Sequence, residues 1–221
     1  MSGDRPRPRV MVVSDRRRLA RASGGDERRA ADLLVEQAAA AAEFGADFFQ
    51  LREPDLDAAI LAALAARIRD VVAGRLVVLV NDRADVAAAA GVGVHLTARS
   101  LPADRLRRWM PRSTYLTRAV HSPAEAAASG PVDAVVAGTA AASASKPPGH
   151  PVLGPDGLRA IVEASGVPVL AIGGLTARDW PWLAEAGAAG CAGIGAFLPQ
   201  PGERVAAAVA RGIGAFRGVV D

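Results

Sequence analysis

The chain has 221 residues, a length that a single α/β barrel commonly occupies, and 51% of them are hydrophobic. No apolar run reaches the roughly 20 residues of a membrane-spanning helix, and the opening MSGDRPRPRV has no signal-peptide pattern, so we expect a cytoplasmic protein without a membrane partner. The net charge is +3, and the 25 arginines are spread along the chain, a distribution that does not indicate nucleic-acid binding. The single cysteine, Cys191, cannot form an internal disulfide.

Strand-like apolar runs alternate with alanine- and leucine-rich helical stretches along the whole chain, as repeated βα units do. Eight strands are predicted, at Val10–Val13, Asp47–Leu51, Leu76–Val80, Gly93–Leu96, Thr114–Thr117, Ala134–Ala137, Pro168–Ile172 and Gly190–Ile194. Helices are predicted at Asp26–Phe44, Leu56–Ala73, Arg83–Ala90, Ala103–Met110, Pro123–Ser129, Pro155–Ser165, Thr176–Ala186 and Glu203–Phe216.

Eight such units favour a closed (β/α)8 TIM barrel. An open dinucleotide-binding sheet is disfavoured because Ser14–Arg21, after the first strand, contains no glycine. We therefore predict one barrel domain over residues 9–221, preceded by a flexible segment at residues 1–8.

The chemistry of a (β/α)8 barrel lies at the carboxyl ends of its strands. The candidate residues predicted there are Ser14, Asp15, Gln50, Arg52, Asn81, Asp82, His95, His121, Thr139, Lys146, Gly173, Gly174 and Gly195. The glycines follow the seventh and eighth strands, where backbone N–H groups without intervening side chains can bind a phosphate. These two loops are therefore predicted to form a phosphate-binding site.

A long irregular segment, Thr139–Leu153, follows the sixth strand and is rich in Ser, Pro and Gly. A loop of this length inside a compact barrel is typical of a functional lid. The segment carries Lys146, the only lysine of the chain, and a lysine suits a mobile loop that closes over an anion. The alternative for Lys146 is a solvated loop charge.

Other features receive structural interpretations. The arginines of Arg16–Arg18 are expected to form solvated surface. His95 is interpreted as a wall residue of the barrel. Trp180 and Trp182 are expected to pack against a neighbouring helix or a second subunit, which leaves a homodimer as one option.

Five motifs, in order along nearly the whole chain, carry a family resemblance. They read QLREPD, LVNDRADVAAAAGVGVHL, AVHSPAEA, SKPPGHPVLGPDGL and VPVLAIGGLTARDWPWLAEAGAAGCAGIGAF. Together they resemble the superfamily of thiamine phosphate synthase and the related thiazole tautomerase. The AIGG segment alone is shared with several phosphate-binding barrels, so the ordered set makes the resemblance specific.

For a synthase, the resemblance implies that Arg52 and Asn81 bind the pyrophosphate of an aminopyrimidine substrate. It also implies that Asp82 binds Mg2+ and that Lys146 closes over phosphate. Gln50 matches the same motif as Arg52 and is assigned to substrate binding.

The chain departs from the synthase pattern at three places. Pro54 replaces a lysine, Arg99 and Ser100 replace two acids, and Ala119 replaces a serine. Because Mg2+ is usually held by one or two carboxylates together with phosphate oxygens, loss of the second acid weakens the expected metal site.

For a tautomerase, the resemblance implies a Val-His-Ser motif after the fifth strand, which this chain has around His121. Imidazole can accept and return a proton near neutral pH, and this reaction requires no cofactor. Our primary hypothesis is therefore a thiazole tautomerase that binds a thiazole phosphate, with His121 as its catalytic residue. The alternatives are a divergent Mg2+-dependent thiamine phosphate synthase and a non-catalytic phosphate-ligand binding protein.

Overall fold

The computed structural model describes residues 7–143, 146–147 and 149–218. Its strands are β1 (Arg9–Val13), β2 (Phe48–Leu51), β3 (Val77–Asn81), β4 (Gly93–Leu96), β5 (Leu116–Val120), β6 (Ala134–Gly138), β7 (Val169–Ile172) and β8 (Gly190–Gly193). They pair in parallel in sequence order, and the sheet closes because β8 also pairs with β1. The predicted (β/α)8 barrel is confirmed, whereas residues 1–6 of the predicted flexible segment lie outside the described residues.

Helices cover the outside of the barrel. They are α1 (Arg16–Ala22), α2 (Ala30–Glu43), α3 (Ala58–Val72), α4 (Ala84–Ala90), α5 (Ala103–Arg107), α6 (Pro123–Ala127), α7 (Gly154–Ala164), α8 (Trp180–Glu185) and α9 (Val205–Arg217). Short 3-10 helices lie at Glu27–Arg29, Ala177–Asp179 and Gly195–Phe197. Across the described part of the chain, every helix is too short or too polar to cross a membrane.

Helix α1 was not predicted from the sequence. Its sequence RRRLARA has only Leu19 and Ala20 as buried residues, which is too little for a recognisable apolar stripe. Asp15 begins the helix by accepting a hydrogen bond from the N–H of Arg18 at 3.0 Å. The start of the helix is therefore set by a local capping residue, which leaves no hydrophobic pattern in the sequence.

Strand β5 lies further along the chain than the predicted Thr114–Thr117. Arg118 interrupts the apolar pattern, but it stands within the strand and donates hydrogen bonds to the carbonyl oxygens of Leu101 at 3.1 Å and Thr97 at 3.4 Å. These partners bind the two terminal nitrogens of the Arg118 side chain, whereas its Nε is buried without a hydrogen-bond partner among the described residues. As a consequence, His121 follows β5 directly.

Buried side chains fill the inside of the barrel. They are Met11, Val13, Phe48, Leu79, Val136, Leu170 and Ala192. A larger apolar core lies between the strands and the helices. Because the interior is packed, a ligand can reach the barrel only at its ends, and the chemistry is confined to the loops there.

Small residues close the barrel between β8 and β1. A Cβ at Gly190 would lie 2.0 Å from the carbonyl oxygen of Arg9, which is far inside contact distance. Gly190 pairs with Arg9 in the parallel ladder, so the backbone cannot move away without breaking closure. Glycine is therefore required at this position by packing.

Gly190→Ala is expected to lower the free energy of unfolding by about 3 kcal/mol, because overpacking at a backbone contact cannot relax. Urea unfolding followed by circular dichroism measures the change. Gly166→Ala is the matched control, since a Cβ there meets no atom within 4 Å. Equal stability of the two variants would contradict the closure described for β8 and β1.

Candidate active site

A cavity of about 530 Å3 lies at the carboxyl ends of β7 and β8. Its lining includes Gly173, Gly174 and Gly195, the glycines predicted to bind phosphate. Gly174 has a φ of +67°, and a Cβ there would lie 2.2 Å from the carbonyl oxygen of Ala142. Only glycine lets the loop after β7 approach the loop after β6 this closely. The structure thus brings the three glycines together around one cavity.

The backbone beside Gly195 offers hydrogen-bond donors to this cavity. The N–H groups of Phe197 and Leu198 donate to the carbonyl oxygens of Ile194 and Gly195, at 3.1 Å and 3.3 Å, and close the 3-10 turn. Among the described residues, no acceptor takes the N–H of Gly195 or of Ala196. Unpaired N–H groups of this kind are the donors that a phosphate oxygen requires.

Arg18 lines the same cavity from helix α1 and was not among the predicted site residues. It is half-buried, and a Cβ at Gly195 would lie 3.6 Å from its Nη2 atom. The expectation that Arg16–Arg18 form solvated surface is wrong for two of the three. Arg18 borders the cavity, and the side chain of Arg16 is only 18% exposed because it forms ion pairs with acids after β2.

A second polar group lies across the mouth of the barrel, at the ends of β2 and β3. Gln50 is buried, and its Nε2 donates to Oδ1 of Asn81 at 3.0 Å. Because that amide oxygen is engaged, the Nδ2 donor of Asn81 is the group left for a ligand. Arg52 is exposed just after β2 and forms no ion pair with any carboxylate in the described ranges. These three predicted residues share one side of the mouth.

Glu53 is a buried acid that holds the backbone beside Arg52. Its carboxylate accepts hydrogen bonds from the Ser14 hydroxyl at 2.6 Å and from the N–H and Nη1 of Arg16, both at 3.0 Å. The Ser14 oxygen in turn accepts from the N–H of Arg52 at 2.9 Å. Burial raises the pKa of Glu53, and the hydrogen bonds from Ser14 and Arg16 oppose that rise. Sequence reasoning assigned Glu53 no role, since its partners follow a different strand.

Asp82 directly follows β3 and has a φ of +66°, a left-handed conformation that is unusual for a residue other than glycine. Its carboxylate accepts hydrogen bonds from the Ser100 hydroxyl and, at 3.4 Å, from the Thr97 hydroxyl. The described residues contain no cluster of three or more His, Cys, Asp or Glu side chains placed to hold a metal ion. One carboxylate already bonded to two hydroxyls does not fit a Mg2+ site of the two-carboxylate kind.

His121 lies exposed at the rim between β5 and β6. Its Nδ1 is 2.5 Å from the carbonyl oxygen of Gly138, and because a carbonyl only accepts, the neutral ring carries its proton on Nδ1. The Nε2 lone pair then faces away from this contact and can take up a proton. His121 is not part of the lining of the cavity at β7 and β8.

His95 lies inside the barrel, where it was predicted as a wall residue. It is buried, and its Nδ1 is 2.8 Å from the hydroxyl of Thr117. Burial, together with the positive charges of Arg52 and Arg118, lowers the pKa of His95 to about 4. The ring is therefore neutral at neutral pH and adds no charge to the mouth.

Lys146 is exposed and lines a smaller cavity of about 280 Å3 with Thr139 and His150. The two cavities share Ala142 and Ser143, so Lys146 stands beside the glycine loops and outside the larger cavity. Residues 144, 145 and 148 of the predicted lid lie outside the described residues. Closure of this segment over a phosphate stays a prediction.

A closed barrel with glycine loops after β7 and β8, and with arginines at its mouth, has the features that are typical of phosphate-binding (β/α)8 barrels. A family model described as thiamine monophosphate synthase matches residues 22–197. The chain belongs to this family, and the resemblance found in its motifs is confirmed.

Relatives and a solved structure agree with this assignment. The chain is 40% identical to a thiamine-phosphate synthase of Methanoculleus marisnigri over 76% of this chain and 81% of that protein. It is 35% identical to one of Albidiferax ferrireducens over 76% and 79%. A thiamine phosphate pyrophosphorylase from Pyrococcus furiosus superposes with a TM-score of 0.75 at 26% identity, covering 96% and 95% of the two chains. The names of these relatives favour the synthase alternative over the tautomerase hypothesis.

Ser100→Asp is expected to create the missing carboxylate pair with Asp82 and to tighten Mg2+ binding by about tenfold or more. Calorimetric titration of Mg2+ in the presence of inorganic diphosphate measures the affinity. Ser100→Asn is the control, because it changes the hydroxyl without adding charge. If wild type and Ser100→Asp bound Mg2+ equally well, the description of the metal site would be wrong.

Proposed function

We propose that this protein catalyses the synthase reaction of its family, in which an aminopyrimidine diphosphate is joined to a thiazole phosphate and diphosphate is released. The observation that supports this most is that two groups of donors suited to anions lie on one mouth. The glycine cavity lies at β7 and β8, and the Arg52 and Asn81 donors lie at β2 and β3. In the closed order of eight strands, β3 stands opposite β7.

Two groups match a reaction between two phosphorylated molecules. A proton shift on a single thiazole phosphate requires only one of them. In the proposed arrangement, the phosphate of the thiazole binds at Gly173, Gly174 and Gly195, and the diphosphate of the other substrate binds at Arg52 and the Nδ2 of Asn81. Both substrates then present their rings to the space between the two groups.

Charge develops on the diphosphate oxygens as this group departs, and cations fixed beside it stabilise that charge. Arg52 supplies one such cation on a backbone held by Ser14 and Glu53. Arg99, in the loop after β4, supplies a second exposed cation. No step is assigned to Mg2+, because Asp82 supplies a single carboxylate after β3 and that carboxylate already accepts from two hydroxyls.

A second candidate is the tautomerase reaction, which the geometry of His121 favours. The Gly138 carbonyl fixes one tautomer of the ring, with Nε2 as the proton acceptor. The reaction also tolerates the loss of the second metal-binding acid. The tautomerase reaction provides no ligand for the group formed by Arg52 and Asn81. It is therefore the second candidate.

Purified protein mixed with both substrates is expected to release diphosphate and form thiamine phosphate. Arg52→Ala is expected to lower kcat/KM by about 100-fold, because a cation that stabilises developing charge is lost. Chromatography of thiamine phosphate measures the rate. Arg75→Ala serves as the control, since Arg75 precedes β3 at the opposite end of the barrel and bonds to the carbonyl oxygen of Val72.

Absence of diphosphate release, with or without added Mg2+, would contradict the proposal. If the wild-type protein then aromatised the carboxythiazole phosphate and His121→Ala did not, this result would support the tautomerase. Binding of the thiazole phosphate with neither reaction would identify a binding protein.

A further inference from the structure

Three consecutive arginines open helix α1, and their surroundings differ. Arg16 forms ion pairs with Glu53 and Asp55, and Arg17 pairs with Asp55 at 2.6 Å. Over residues 7–143, 146–147 and 149–218, no carboxylate forms an ion pair with Arg18. The backbone N–H of Arg18 donates to Oδ1 of Asp15, and among the described residues no hydrogen bond of its guanidinium is seen. One guanidinium of the three is therefore available to an anion.

The position of α1 explains this division. The helix follows β1 directly, and β1 pairs with β2 on one side and with β8 on the other. Successive side chains of a helix are separated by about 100° around its axis, so neighbouring residues point in different directions. Arg16 and Arg17 reach the acids after β2, whereas Arg18 reaches the cavity after β8 and approaches Gly195.

We infer that Arg18 is a phosphate-binding residue of the glycine cavity and that it makes this site selective for the phosphorylated form of its substrate. The N–H groups of Gly195 and Ala196 supply donors, and the half-buried guanidinium supplies the charge that they lack. Hydrogen bonds between a guanidinium and a phosphate are charge-assisted and can be bidentate. This inference rests on the proposed function, which places the thiazole phosphate in this cavity.

The closing experiment compares binding of three probes by calorimetry: thiazole phosphate, the same thiazole alcohol without phosphate, and inorganic phosphate. Arg18→Ala is expected to weaken binding of the thiazole phosphate about 10- to 100-fold and to leave the alcohol unchanged. Arg18→Lys is expected to retain part of the affinity, because it keeps the charge without the planar donors. In steady-state assays, KM for the thiazole phosphate rises in Arg18→Ala more than kcat falls.

Arg21→Ala is the matched control, since Arg21 lies on the same helix and bonds to the carbonyl oxygen of Arg17 away from the cavity. Unchanged affinity for thiazole phosphate in both Arg18 variants would overturn the inference, as would failure of the wild-type protein to bind either phosphate probe. Failure of the proposed function gives a different result, in which Arg18 still controls phosphate binding but no thiamine phosphate forms. Arg18→Gln replaces Arg18→Ala if the alanine variant does not fold.

Discussion

The pairing of β1 with both β2 and β8 is the constraint on which the site depends. It brings the segment after β1 between two loops that are far apart in the sequence. On one side, Ser14 and Arg16 hold the Glu53 carboxylate and with it the backbone of Arg52. On the other side, Arg18 reaches Gly195. Closure of the barrel at Gly190 therefore positions both halves of the mouth through one short helix.

Apolar side chains fill much of the barrel interior, and each charge at the mouth has a different environment. Glu53 is buried and its charge is balanced by Arg16, so this pair fixes geometry and leaves little net charge for a ligand. Arg18 and Arg52 have no such acidic partners in the described ranges and remain available to anions. Asp82 keeps its position but shares its carboxylate with Ser100. The mouth thus has two positively charged side chains, Arg18 and Arg52, and a metal site that is weaker than the synthase pattern implies.

The sequence predicted the barrel well because eight βα repeats each carry their own apolar and helical pattern. The glycines after β7 and β8 were also predicted, and the structure places them on one cavity. Helix α1 and the displacement of β5 were missed, since a single cap at Asp15 and the carbonyl partners of Arg118 leave no periodic signal. The role of Arg18 depends on the closure of β8 on β1, which joins opposite ends of the chain and has no local signature.

The proposed function requires one mouth to hold two separate anion-binding groups at the same time. Phosphorus NMR of inorganic diphosphate, added to protein already saturated with thiazole phosphate, tests this most directly. The two-group arrangement predicts a ternary complex, with diphosphate binding as strongly as it does to the protein alone and with the thiazole phosphate still bound. Displacement of the thiazole phosphate by diphosphate would show a single shared site and would contradict it.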